Sequence, residues 1–118
     1  MTERERFEYQ ENRIRLMIER GCTCEVCGKP LHLGNLQIAH RIPKAKRYLK
    51  QYGKEVIHHP LNLATVCSLK CNDAVLLDPK THPIEAAELI RRIRHDALLE
   101  FARQKETLEY NLEQLGMK

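Results

Sequence analysis

The sequence predicts a small α+β domain: a short hairpin gathered by two cysteine pairs, with one helix before it and another after it. Three observations lead there. The pairs Cys24-x-x-Cys27 and Cys67-x-x-x-Cys71 have the look of two metal-binding turns. Between them, "LQIAH" reads as a strand ending at His40. At both ends of the chain, apolar residues recur at helical spacing. At 118 residues the chain is one domain, divided into an N-terminal helix (1–20), a cysteine-bearing core (21–80) and a C-terminal helix (83–118).

Each element has a local reason. From Thr2 to about Arg20 the composition favours helix, with Phe7, Ile14, Met17 and Ile18 near one face and Gly21 as the stop. "CTCEVCGKP" follows as a tight turn, then the strand to His40. "RIPKAKRYLKQYGKEVIHHP" is a long polar, basic connection bounded by Pro43 and Pro60. "NLATVC" reads as a second strand or as a loop entering the next cysteine turn, and a helix starts near Leu69. "DPKTHP" breaks that helix. From Ile84 the positions Ala86, Leu89/Ile90, Ile93, Ala97/Leu98 and Phe101 follow helical spacing, with Thr81 or His82 near the cap and Pro83 in the first turn. Beyond Ala102 the stripe weakens and resumes at Leu108, Leu112 and Leu115, with Lys105 in the seam. The expectation is a helix packing on its own domain, with homodimerisation through it as the alternative.

Charge narrows the partner. The net charge is +4; residues 1–20 are neutral and residues 84–118 sum to −1, so residues 21–83 carry +5. A cationic excess confined to the cysteine-rich segment points to an anionic partner, with nucleic acid first. The charged start, "MTERERFEYQ", is not a signal peptide, and no apolar run is long enough to span a bilayer, so a cytoplasmic setting with reduced thiols is expected. In that setting the two pairs make a tetrahedral zinc site from Cys24, Cys27, Cys67 and Cys71. Gly28 lets backbone N–H groups approach the first sulfurs. The 39 residues between Cys27 and Cys67 exceed a simple ribbon and imply a hairpin with a long loop. Cys22 has no partner at turn spacing and is read as a bystander.

Four pieces, "CEVC", "IAHRIP", "HPLNLATVC" and "CNDA", stand in an order that resembles the HNH endonucleases, the ββα-metal nucleases, over about residues 24–75. The resemblance implies a zinc-clasped ββα core and a DNA-cleaving activity. It implies His40 as the general base and Asn62 as the residue that orients it or braces the loop. It also implies a catalytic Mg²⁺ or Mn²⁺ beside a structural zinc. Histidine suits the base role because its ordinary pKa lies near neutrality. The chain departs from the family where a metal grip is expected: Ala39 precedes the histidine, and Asn72 follows the last cysteine. Asp73, His58 and His59 are the substitutes at hand, Asp73 foremost because a carboxylate suits Mg²⁺.

In the basic connection Arg41, Lys44, Lys46, Arg47, Lys50 and Lys54 read as contacts to the DNA backbone, while Tyr48 and Tyr52 read as a packed helical pair. His32, His82 and His95 are assigned no chemistry. The rival functions are a non-catalytic zinc module that binds nucleic acid and an interaction adaptor that uses its terminal helices.

Overall fold

The computed structural model describes residues 2–116. Helix α1 spans Glu3–Glu19. Thr2 caps it by accepting a hydrogen bond from the Glu5 N–H (3.1 Å), and Glu3 and Glu5 sit in the first turn, where acidic groups favour the helix dipole. The chain leaves α1 through Gly21 and Cys22, both at positive φ. Of the apolar face expected on α1, only Met17 is buried, whereas Phe7 and Ile18 are exposed. The helix instead turns the stripe of Arg13, Ile14, Leu16 and Met17 toward the body.

Strands β1 (Gln37–His40) and β2 (Leu63–Val66) pair antiparallel, with Ala39 opposite Ala64 and His40 opposite Leu63. "NLATVC" is therefore a strand. Next comes α4 (Leu69–Ala74), whose N-cap Ser68 accepts from the Cys71 N–H at 3.2 Å. It packs on both strands, so the two strands and this short helix form a ββα unit in chain order.

The connection between the strands is not a polar loop. It holds helices α2 (Lys46–Tyr52) and α3 (Lys54–Ile57) and a 3₁₀ turn at Pro60–Asn62. Gly53, at φ 89°, makes the corner between the two helices. Its scattered apolar residues Ile42, Tyr48, Val56 and Ile57 pack with Ala86, Leu89, Ile90 and Ile93 of helix α5 (Pro83–Gln114) into a core of their own. A second cluster, formed by Met17, Cys24, Leu31, Leu36, Ala39, Ala64, Val66, Cys71 and Val75, sits around the hairpin and the cysteines.

His82 is the N-cap of α5 and Pro83 its first residue, where a missing N–H costs nothing. The distal half of α5 does not pack on its own domain as expected. From Ala97 to Gly116 every residue except Leu112 is exposed. Among the described residues no helix is long and apolar enough to cross a membrane.

Candidate metal centre and histidine cleft

The four cysteine sulfurs of residues 24, 27, 67 and 71 lie within 4.8 Å of one another. Sγ of Cys67 is 3.5 Å from that of Cys27 and 3.9 Å from that of Cys71. Four thiolates at about 2.3 Å from one tetrahedral ion stand roughly 3.8 Å apart, so the cluster has the size of a zinc site. Cys22 stands outside it, as expected.

The backbone explains the geometry. Gly28, at φ 76°, closes the first turn, its N–H donating to the Cys24 carbonyl at 2.9 Å. The Cys24 N–H donates to the Lys29 carbonyl (2.8 Å), beside a bridge from Thr23 to Pro30. Burial pushes the Cys24 thiol up in pKa, but hydrogen bonds from the backbone of Cys27, Val26 and Cys67 outweigh it and bring the group to about 6. Cys67 is pushed up to about 11, first by its contact with the Cys27 thiol and then by desolvation. Crowded thiols resist losing several protons together; a divalent cation at their centre reverses that resistance.

Glu25, inside the first cysteine turn, stitches the two half-sites together, a role nothing in its local sequence signals. Its carboxylate accepts from the backbone N–H of Thr65 and from the Thr65 hydroxyl (3.2 Å), and its own N–H donates to the Thr65 carbonyl (3.0 Å). Arg20 donates to the same carboxylate (2.9 Å), to the Leu63 carbonyl (3.1 Å) and to the Pro60 carbonyl (2.8 Å). Arg41, a candidate DNA contact, turns inward to Glu25 at 3.7 Å. Lys44, Lys46, Arg47, Lys50 and Lys54 are exposed.

His40 is half-buried at the end of β1. Its Nε2 lies 3.3 Å from Nδ1 of His58, with the rings edge to face at 77°. Burial lowers its pKa from the ordinary 6.5, and the nearby His58 and Lys44 lower it further. At neutral pH the ring is therefore an uncharged imidazole. It opens into a cleft of about 410 Å³ bounded by Lys44 and His58 and walled by Tyr9, Asn12 and Arg13 of α1. A wall from α1 was not foreseen, because the helix carries no motif. His59 is separate from this cleft: its Nδ1 accepts from the Leu61 N–H (3.1 Å) and its Nε2 meets Asp96 of α5 at 3.0 Å.

Asn62 is fully buried. Its Oδ1 accepts from the Ile42 N–H at 2.9 Å, and its Nδ2 donates to the carbonyls of Ile57 (2.8 Å) and Ile42 (3.2 Å). Those bonds engage the amide with backbone on both sides of the strand connection, and none reaches His40. Asn72 is half-buried and Asp73 exposed on α4, and neither lines the histidine cleft. Ala39 and Ala64 are both fully buried in the middle of the hairpin. Among the described residues, the four cysteines are the one group of His, Cys, Asp and Glu side chains whose ligand atoms converge as a metal site. Comparison with known protein families, curated proteins and solved structures finds no match to this chain.

Proposed function

We propose that the protein binds DNA and hydrolyses its phosphodiester bonds as a ββα-metal (HNH-type) endonuclease, with His40 as the general base. The observation that carries this reading is the position and state of one ring. His40 ends the first strand of a ββα unit, is held uncharged at neutral pH, and opens into a cleft flanked by Lys44 and Arg13. An uncharged imidazole accepts a proton from an attacking water, and the cations flanking it favour an anionic phosphate. Zinc on Cys24, Cys27, Cys67 and Cys71 stays structural, because four sulfurs leave no coordination position for water.

The donors beside His40 do not make a Mg²⁺ or Mn²⁺ site of their own. Two imidazoles face each other there with no carboxylate in the lining, and hard cations prefer oxygen. That observation, together with the buried Ala39–Ala64 pair, favours the second reading: a zinc-stabilised domain that binds nucleic acid without cutting it.

A plasmid nicking assay with Mg²⁺, Mn²⁺ or chelator separates the two. Nicking by the wild type that is lost in His40→Ala, with zinc content and DNA affinity unchanged, supports the endonuclease. Nicking that survives the substitution refutes the mechanism. Salt-dependent binding with no cleavage under any ion leaves the binding domain. In that case neutralising Lys44, Lys46 and Lys50 flattens the log–log salt slope by about 0.9 for each phosphate that the protein no longer neutralises.

A further inference from the structure

A groove of about 910 Å³ runs between α2 and the first half of α5. Its floor is apolar, with Ala86, Ala87 and Ile90. Its rim carries Arg47, Lys80, Arg91 and Arg94, and no acidic side chain lines it. Arg47 and Lys80 already lie in the field of Asp78, while among the described residues neither Arg91 nor Arg94 forms an ion pair with an acid. An occupant of this groove must bring apolar side chains for the floor and negative charge for the rim.

The far end of the same helix has both. From residue 106 to 115 the chain holds Glu106, Glu109 and Glu113, no Lys or Arg, and the leucines 108, 112 and 115. Leu98, Phe101, Leu108 and Leu115 are exposed, at 68, 67, 59 and 70%. At about 100° per residue, Leu98, Phe101, Lys105, Leu108, Leu112 and Leu115 fall on one stripe of α5. Ala87, Ile90 and Arg94 fall on that stripe too, so the groove wall and the exposed leucines form one continuous face. Arg91 and Glu109 lie on the same flank of it. In an antiparallel pair of helices, residues on the same flank meet across the seam; in a parallel pair they do not.

We infer that the partner of this face is a second copy of the chain: two α5 helices pack antiparallel about a two-fold axis, and the acidic, leucine-bearing end of each lies in the basic groove of the other. The single contact is made twice and closes on itself. It covers the distal stripe, whose leucines and Phe101 the protomer alone leaves exposed to water. The inference is independent of the reading of His40, since the groove and the histidine cleft share no lining residue.

Sedimentation equilibrium on the zinc-loaded, reduced full chain tests it. The wild type is expected to be a dimer at micromolar concentration. Arg91→Glu with Arg94→Glu, or Glu109→Arg with Glu113→Arg, sets like charges opposite one another and should weaken dimerisation at least about 100-fold. The chain carrying all four substitutions regains complementarity and should dimerise again. Helicity and zinc content, measured on each variant, separate loss of the dimer from loss of the fold. A monomeric wild type overturns the inference; if its DNA affinity then falls with Arg91→Glu and Arg94→Glu, the groove holds nucleic acid instead. Dimerisation unmoved by either pair, or not restored in a folded fourfold variant, overturns the antiparallel arrangement.

Discussion

The two cores of this protein are built on opposite principles. The one around the hairpin draws one or two residues from each of several short elements and turns, includes two alanines and two cysteines, and closes around the sulfur cluster. The one under the strand connection is made of helix faces and large side chains, Ile42, Tyr48, Ile57, Leu89, Ile90 and Ile93, with no cross-link. Helices present apolar stripes that bury each other without help. Short strands and turns bury little surface, so the hairpin side is where a metal held by the four cysteines would add most, while the helical side rests on volume.

Breaking the metal should separate them most. Cys24→Ser, or a strong chelator, removes a ligand set of the kind that contributes on the order of 10 kcal/mol to folding. Hydrogen exchange should show protection lost first in β1, β2 and α4 and retained longer in the first half of α5. Uniform loss would mean that the two cores fold as one unit, and a folded, reduced sample without zinc would end the zinc reading. Ile93→Ala, at a position 1% exposed, strikes the other core and should cost about 2–5 kcal/mol in a denaturant melt while zinc stoichiometry holds.

Asn62 sharpens the comparison because it ties the helical side together by buried polar bonds instead of volume. Asn62→Leu leaves the Ile42 N–H and the Ile57 carbonyl without their partner and should cost about 1–3 kcal/mol for each buried group left unpaired. A neutral result would show that water replaces the amide.

The smallest effect is the titration of His40. Its pKa lies below 6.5, so between that lowered value and 6.5 the unfolded chain binds a proton that the folded chain does not. The stability linked to this ring is full above pH 6.5 and is lost as pH falls through the folded pKa. The ring-proton NMR shift of His40 should titrate with a midpoint below 6.5, and a midpoint above it would contradict the buried, His58-paired geometry.

The same division explains what could be read in advance. The cysteine pairs, the strand to His40, the helix near Leu69 and the start of α5 are local signals, carried by spacing, Ser68 and Pro83. The helical core was hidden, because Ile42, Tyr48, Val56 and Ile57 lie scattered among lysines and their partners on α5 come much later in the chain. Arg41 looked like a surface cation because nothing near it announces Glu25. His58 and His59 are equivalent by composition, and the fold alone sends one ring to His40 and the other to Asp96. The stripe on α1 failed for a simpler reason: Phe7 and Ile18 are apolar at about the right spacing, but no element reaches them.

The connection from Arg41 to Asn62 also bears on the entropy of closing the hairpin. Closing a hairpin over a flexible loop costs entropy that grows with loop length, by roughly 0.6 kcal/mol for each doubling. Here the intervening chain forms α2 and α3, and Asn62 ties its two ends through Ile42. A connection that has already collapsed acts as a much shorter loop. Its ends are held close by contacts of the connection itself, so the entropy that pairing β1 with β2 must overcome is that of a short loop and not of the full connection.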